Sequence, residues 1–513
     1  MKQMRIGIDV GGTNTDAVLI EGEVIIASCK TATTDEINDG IETVLKNLVT
    51  SYPASCKKVE AVMIGTTHFV NAVVQRRHLN KVTSIRIGLP ASASLYPMID
   101  WPEDLRTLVN GDIYMVEGGH EYDGRPLLPL DEKELLKIAQ NIKKSEISAV
   151  AISSIFSPLT DACEKRAEEI LLNEDPSLRI SVSNKFGRIG LLERESVTIL
   201  NASLQDLSES TVDAFEKAIK GSGLNAPLFI TQNDGTVTKS DIARDTPVFG
   251  FASGPTNSMR GAAFLSGIEN AMVVDIGGTT SDVGCIRNGY PREANNVVEI
   301  GGVRTLFRMP DVVSIGIGGG TIVKSDPLKI GPESVGHRLQ QTARIFGGNQ
   351  LTLTDIAVAS NDLELGDPAL VSEISKQKVS QIKEAVNATL EQTVDSMKTD
   401  NAEIPLLVVG GGAMLCPKEM DGISDVINVI HADVANAVGA AMAQISGEVD
   451  RVFNDMTRDD LLLEATQIAT QRALAAGADK DTVRVVDMED LPLAYIPGNA
   501  VRARVRVVGD IAR

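Results

Sequence analysis

The stretch that most constrains this chain is Ile6-Gly7-Ile8-Asp9-Val10-Gly11-Gly12-Thr13-Asn14-Thr15-Asp16. Its pattern returns far downstream as Val274-Asp275-Ile276-Gly277-Gly278-Thr279-Thr280-Ser281-Asp282. Each copy reads as an apolar strand ending in Asp, a Gly-Gly-Thr turn, then a hydroxyl residue and a second Asp. Asp9, Gly11, Gly12, Thr13 and Asp16 match Asp275, Gly277, Gly278, Thr279 and Asp282 one for one. A single copy is compatible with a plain tight turn between two strands. A repeat in the same strand context predicts two half-molecules facing each other. One hydrophobic core stops growing at roughly 250–300 residues, so a chain of 513 residues has room for both halves.

Glycine lets a backbone approach a phosphate closely, because it has no Cβ and its amides can turn inward as an anion nest. Gly11, Gly12, Thr13, Asn14 and Thr15 on one side, and Gly277, Gly278, Thr279 and Thr280 on the other, are therefore expected to grip the β- and γ-phosphates of a nucleotide. The strand-end carboxylates of Asp9 and Asp275 would repel phosphate directly. Their expected work is to hold Mg²⁺ or its waters, or to orient an attacking group. Two further Gly-rich turns fit the same cleft: Gly318 and Gly319 within Ser314 to Thr321, and Gly410, Gly411 and Gly412 after the apolar run Pro405 to Val409, where an adenosine could lie on bare backbone. No Gly-Lys pair occurs anywhere, which removes the P-loop as an alternative.

Periodicity predicts strands at Arg5 to Asp9, Ala17 to Ile20 and Val24 to Cys29, a helix from Asp39 to Leu48, a strand from Val59 to Gly65 and a helix from Thr66 to Arg77. A strand at Val82 to Gly88 precedes an irregular, Pro- and Gly-containing stretch, about 89–129, expected to be loops and a hairpin of a small insertion. Helices are expected at Asp131 to Lys143, Ala162 to Leu172 and Leu191 to Leu207, the last as the link between halves. Later come a strand at Pro227 to Thr231, strand-turn-strand around Val273 to Arg287, a helix at Val379 to Met397, an Ala-rich helix at Val434 to Gln444 and tail strands between Val483 and Ile511. The expected division is 1–190, 191–445 and a C-terminal helix with strands over 446–513 that packs back on the body.

A net charge of −20 with no basic run argues against nucleic acid or an anionic membrane as partner. No 18-residue apolar run or signal-peptide pattern is present, and five scattered cysteines without CxxC spacing fit reduced thiols, so a cytoplasmic location is expected.

The duplicated turns with Val408 to Ala413 resemble the actin-like ATPase superfamily, in which two ribonuclease-H-like domains close on a nucleotide. Within it the chain resembles the hydantoinase A/oxoprolinase family through IGIDVGGTNTDAVL (Ile6 to Leu19), GTTHFVNAVV (Gly65 to Val74), LLERESVTILNASL (Leu191 to Leu204), FASGP (Phe251 to Pro255), MVVDIGGTTSDVG (Met272 to Gly284), SIGIGGGT (Ser314 to Thr321), LTLTDIAV (Leu351 to Val358) and LAYIPGNA (Leu493 to Ala500). The resemblance implies an α/β fold of two such domains with a nucleotide cleft between them, plus small insertions. It also implies ATP- and Mg²⁺-dependent opening of a cyclic amide or imide such as hydantoin or oxoproline, through phosphorylation of the amide oxygen. A large B-type subunit is the implied partner, and a homo-oligomer is compatible with it. A small-molecule kinase, a carboxylase subunit of the same superfamily and a nucleotide-gated switch are the alternatives. The chain departs from the pattern where SGP is followed by Thr256-Asn257-Ser258 rather than Ala-Gly-Gly, which bears on local loop geometry. It also stops near residue 513, where longer members carry a further C-terminal domain.

Other polar residues admit two readings. Thr67 and Asn71, in Gly65 to Ala72, stand either as parts of a helix start or as catalytic groups reaching substrate or γ-phosphate. His120 is a loop histidine that could meet substrate or metal but more often would not, and Glu193, Arg194 and Glu195 read as a charged helix surface. His78, His337 and His431 have no zinc spacing, and Cys285 reads as a strand core residue.

Overall fold

The computed structural model describes residues 3–11, 14–32, 37–186, 189–294, 297–325, 327–494 and 499–512. The chain opens with an antiparallel meander of β1 (Met4–Val10), β2 (Asn14–Glu21) and β3 (Val24–Ala32). Helix α1 (Ile37–Ser51) follows, with Ile41, Val44, Leu45 and Leu48 recurring at helical spacing and burying one stripe against Ile6, Ile8 and Val10. Strand alternation turns Gly7 and Asp9 to the opposite face of the sheet. Next, β4 (Val59–Thr66) pairs in parallel with β1 and leads into α2 (His68–Gln75).

The chain then leaves this sheet. β5 (Val82–Leu89), β6 (Asn110–Glu117), β7 (Ala149–Ser154) and β8 (Arg179–Val182) form a separate, wholly parallel sheet in the order β6-β5-β7-β8. The stretch expected as loops and a hairpin thus contains a helix, Glu103–Val109, and the strand β6. β6 is an edge strand whose side chains are mostly half-exposed, so it lacks the unbroken apolar run that marks a buried parallel strand.

Helix α3 (Leu191–Ser203) closes this unit, and a second helix, Gln205–Gly221, starts after Leu204 where one continuous helix was expected. Arg194 and Glu195 are buried rather than on a surface. Arg86 of β5 donates from Nε to Glu195 Oε1 at 2.8 Å and from Nη2 to Oε2, while Ser153 Oγ donates to Oε1 at 2.6 Å. Arg194 donates to Ser154 O at 2.6 Å and to Ser183 Oγ at 3.0 Å. A charge this deep is tolerated only when every partner is present. Arg86→Met, which strands the Glu195 carboxylate, is expected to cost about 3–5 kcal/mol, read as a lowered unfolding midpoint in urea. Arg86→Met with Glu195→Leu should recover most of it.

The chain returns to the first sheet with β9 (Leu228–Thr231), parallel to β4, and β10 (Val237–Lys239). Helix α4 (Ser253–Ser266) then crosses to a third sheet built from β11 (Ala271–Ile276), β12 (Ser281–Arg287) and β13 (Tyr290–Pro291). A hairpin of β14 (Val298–Ile300) and β15 (Val303–Thr305) turns on Gly301-Gly302, both at positive φ. Arg76 Nη2 donates to Gly301 O at 2.9 Å, tying this hairpin to α2.

Strand β16 (Val312–Ile315) pairs with β12, and β17 (Thr321–Ser325) with β18 (Leu328–Ser334). After the helix Lys376–Met397, β19 (Ile404–Val409) and β20 (Ile423–Asn428) complete the third sheet. Helix α5 (Ala435–Met442) leads back to the first sheet, where β21 (Ile445–Phe453), β22 (Arg484–Pro492) and β23 (Val501–Gly509) extend its far end under α6 (Arg458–Ala475).

The sheets therefore divide the chain otherwise than the linear scheme. β9, β10 and the tail strands all lie beside β4 and β1, in the order β22-β23-β21-β10-β9-β4-β1-β2-β3. Strand pairing across such separations leaves no local mark in sequence. Among the described residues no helix is long and apolar enough to cross a membrane.

Candidate functional site

The two signature copies are built alike. Asp9 pairs with Asp16 across β1 and β2, and Asp275 with Asp282 across β11 and β12. Gly11 N donates to Asn14 O at 3.0 Å, and Gly277 N donates to Thr280 O at 2.9 Å. Each copy heads the same strand order, third-second-first-fourth-fifth: β3-β2-β1-β4-β9 in one sheet, β13-β12-β11-β19-β20 in the other. Both aspartates thus sit at the carboxyl end of the first strand of a half, where a ligand crevice opens in α/β sheets.

Helices α4 and α5 bring the halves together. A Cβ on Gly261 would lie 1.9 Å from Ala435 O, and one on Gly439 would lie 1.9 Å from Asn257 O, so the helices cross backbone to backbone. A Cβ on Gly7 would lie 2.1 Å from Ala437 O, so α5 also rests directly on β1. This seating delivers side chains to the carboxylates. Asn257 Nδ2 donates to Asp9 Oδ1 at 3.3 Å, and Asn436 Nδ2 donates to Asp9 Oδ2 at 3.3 Å. Ser258 Oγ lies within hydrogen-bond distance of both Asp275 Oδ2 and Asn436 Oδ1. A hydroxyl has one proton and two lone pairs, so Ser258 stands between the two oxygens as their shared partner.

Burial disfavours the ionised form of the carboxylates gathered here. It pushes Asp9 up to about 7, with Asp16 and Asp275 adding repulsion against the relief of the two asparagine amides. It pushes Asp16 to about 6 despite Lys30, whose Nζ is 3.3 Å from Asp16 Oδ1. Burial likewise lifts Asp282 to about 6 and raises Asp275 against the Ser258 hydrogen bond. Desolvation by burial raises all four carboxylates, and repulsion from a neighbouring carboxylate adds to it at Asp9, Asp16 and Asp282.

The glycine turns divide into supports and open amides. Gly318 N donates to Thr321 Oγ1 at 2.8 Å, Gly319 N to Gly277 O at 3.0 Å, Gly410 N to Ala432 O at 3.0 Å and Gly412 N to Ile276 O at 2.7 Å. These residues buttress the second signature turn, and their own amides are occupied. Among the described residues the amides of Gly278, Thr279 and Gly411 donate to no protein acceptor. Gly12 and Thr13 lie outside the described residues. Thr15 does not face the cleft: it is fully buried, and a Cβ on Gly40 of α1 would lie 2.7 Å from its Oγ1, because it sits opposite Val10 on the other face from Asp9.

At the end of β4, one strand from Asp9, Thr66 Oγ1 accepts from His68 N at 3.2 Å, and Ser253 Oγ donates to Thr66 O at 2.9 Å. Asn71 Nδ2 donates to Thr67 Oγ1 at 3.3 Å, and a Cβ on Gly254 would meet Thr67 Cγ2 at 3.3 Å. Thr67 thus lies where the starts of α2 and α4 meet, with Asn71 behind it. Thr256, Asn257 and Ser258, the departure from the family pattern, belong to a helix and not a loop. Asn257, Ser258 and Asn436 were not selected from sequence. The run of small residues in α5 was the available signal, since it marks close helix contact.

Two halves of one strand order, each with a carboxylate at the end of its first strand and joined by two closely crossing helices, are the ribonuclease-H-like domains of the actin-like ATPase fold. The chain belongs to the hydantoinase/oxoprolinase family, whose N-terminal region matches residues 5–175 and whose hydantoinase/oxoprolinase region matches residues 194–367. Its sequence is 27% identical over 76% of its length to an uncharacterized protein of Methanocaldococcus jannaschii, covering 62% of that protein. It is 26% identical to the acetophenone carboxylase gamma subunit of Aromatoleum aromaticum over 69% of this chain and 52% of the relative. It is also 24% identical to caprolactamase subunit alpha of Pseudomonas jessenii over 70% of this chain and 54% of the relative. The chain thus matches only about half to three-fifths of the length of these relatives.

In fold it is similar to ATP-dependent caprolactamase from Pseudomonas jessenii, with TM-score 0.77 and 18% identity over 99% of this chain and 88% of that one. It is also similar to nucleotide-free acetone carboxylase, with TM-score 0.69 and 18% identity over 100% of this chain and 88% of that one.

Proposed function

We propose that this chain is the ATP-using subunit of an enzyme that opens a cyclic amide by phosphorylating its carbonyl oxygen, working with a separate B-type subunit. The observation that carries the proposal is the pair of register-equivalent aspartates, Asp9 and Asp275, bridged through Asn436 and Ser258. An amide carbonyl is a poor electrophile, and an O-phosphate converts its oxygen into a leaving group. Such transfer is catalysed mainly by positioning and charge neutralisation.

Among the described residues no three His, Cys, Asp or Glu side chains gather tightly enough to hold a bare ion. Buried carboxylate oxygens with raised pKa values nonetheless suit Mg²⁺, which keeps several waters and shares phosphate oxygens. Asp9 and Asp275 would hold the hydrated ion, and the ion would neutralise charge on the transferring phosphoryl group. The open amides of Gly278, Thr279 and Gly411 would donate to phosphate oxygens, with Gly318, Gly319, Gly410 and Gly412 keeping those turns in shape. Gly11, Gly12, Thr13, Asn14 and Thr280 are assigned to the same phosphates from the signature turns. Thr67, with Asn71 donating to its hydroxyl, is assigned to the carbonyl oxygen of the substrate.

The resemblance to carboxylase subunits favours a second reading, in which the same transfer activates a ketone for carboxylation. One experiment separates these readings: ADP release measured with lactams, hydantoins, oxoproline, and ketones plus bicarbonate, with and without a B-type subunit. Ring-opened product supports the first, and carboxylated product the second. Accumulation of a phosphorylated compound would indicate a kinase. ADP release indifferent to every substrate would remove all three.

A further inference from the structure

Asn436 offers its two amide ends to two different halves of the molecule. Its nitrogen donates to Asp9, at the end of the first strand of one sheet. Its oxygen meets Ser258 Oγ, which in turn meets Asp275, at the end of the first strand of the other. The reverse amide orientation would set an oxygen against the Asp9 carboxylate, so the direction of the bridge follows from Asp9 itself. Asn257 adds a second hold, with Nδ2 within 3.3 Å of both Asp9 Oδ1 and Thr231 Oγ1.

Asn257 is fully buried, and its Oδ1 has no partner among the described residues. An idle buried oxygen costs stability, so packing alone gives no reason for an amide here. The backbone also makes room for it, since a Cβ on Gly65 would lie 2.2 Å from Asn257 Nδ2 and 3.0 Å from Asp9 Oδ1. These side chains come from α4 and α5, which cannot slide past one another while Gly261 and Gly439 are interlocked.

We infer that Asn436, Ser258 and Asn257 are positioning residues that hold the two signature carboxylates at one separation across the cleft, and so set how tightly the metal-nucleotide pair binds. The inference rests on the reading that Asp9 and Asp275 hold the metal of a nucleotide. None of the three is a catalytic residue. Each acts on a carboxylate that would meet the ion, as the outer hydrogen-bond partners of metal ligands do.

The test is titration calorimetry on the full chain with ATP plus Mg²⁺ and with ATP plus chelator. Asn436→Ala is expected to weaken Mg²⁺-ATP binding about 10- to 100-fold, the usual cost of losing such a partner, while metal-free ATP binding changes less than about 2-fold. Asn436→Asp keeps the size of the side chain but sets an acceptor against Asp9, and should weaken Mg²⁺-ATP binding at least as much. Ser258→Ala should do the same, and Ser258→Ala with Asn436→Ala should be no worse than either alone, because both break one chain. Asn257→Ala and Gly65→Ala supply independent variants should any of these fail to fold.

Unchanged metal dependence in these variants would overturn the inference. So would single effects that multiply in the double variant, or equal losses with and without metal. A wild-type chain that fails to bind Mg²⁺-ATP at all would instead overturn the nucleotide reading, and this inference with it.

Discussion

Asp9→Asn should abolish nucleotide turnover while making the ligand-free protein more stable at alkaline pH. In the fold, burial and the neighbouring carboxylates raise this group from 3.8 to about 7. The sign follows directly. A folded pKa above the unfolded one gives stability that is fully present below about pH 4 and is lost as pH rises through about 7. A displacement of that size corresponds to about 4 kcal/mol. Asparagine cannot ionise, so this pH dependence disappears. Its amide would point one donor at Asn257 or Asn436, themselves donors, at a cost of about 1–3 kcal/mol. The burial relief wins at pH 8, leaving a net gain of about 1–3 kcal/mol.

Differential scanning calorimetry of the ligand-free protein from pH 5 to 8 measures the effect. The wild-type midpoint should fall across this range and the variant's should fall less steeply, because Asp16, Asp275 and Asp282 still titrate there. In the same variant, ATP hydrolysis with substrate and partner should drop at least about 100-fold, the usual cost of removing one positioned electrostatic group from a transition state. Wild-type turnover in Asp9→Asn or Asp275→Asn would sink the proposed function.

The second large effect belongs to the helix crossing. Gly439→Val or Gly261→Val places side-chain carbon where Asn257 O or Ala435 O already stands, each 1.9 Å from an ideal Cβ. The obstruction is backbone, which no rotamer change relieves, so α4 and α5 must separate. The cost should exceed the ordinary overpacking figure of about 1–3 kcal/mol. Gly221→Ala is the control, because nothing lies within 4 Å of its Cβ position. Its expected effect is close to zero in urea unfolding. If Gly439→Val unfolded at the same urea concentration as Gly221→Ala, the crossing would not be a tight backbone joint. Moving α5 also moves Asn436, so loss of Mg²⁺-ATP binding should accompany loss of stability.

Much of the architecture follows from short-range physics. A strand closing on Gly-Gly-Thr is specified within a few residues, and repetition of that pattern doubled the inference to two facing halves. The α1 stripe and the apolar run at Pro405 to Val409 were legible for the same reason: burial of one face imposes a period on neighbouring positions. Edge strand β6 was not legible, since it buries too little of itself to leave a period.

Assembly of the cleft is a different matter. Asn257 and Asn436 meet at Asp9 from 248 and 427 positions away along the chain. Whether Gly319 offers its amide to a ligand or spends it on Gly277 depends on a loop folded from another part of the chain. Residue type and spacing determined, by local sterics and periodicity, which segments become strands, turns and helices. Only the tertiary structure decided which of those ends face one another. That choice rests on backbone contacts between α4, α5 and β1 that glycine permits at widely separated positions.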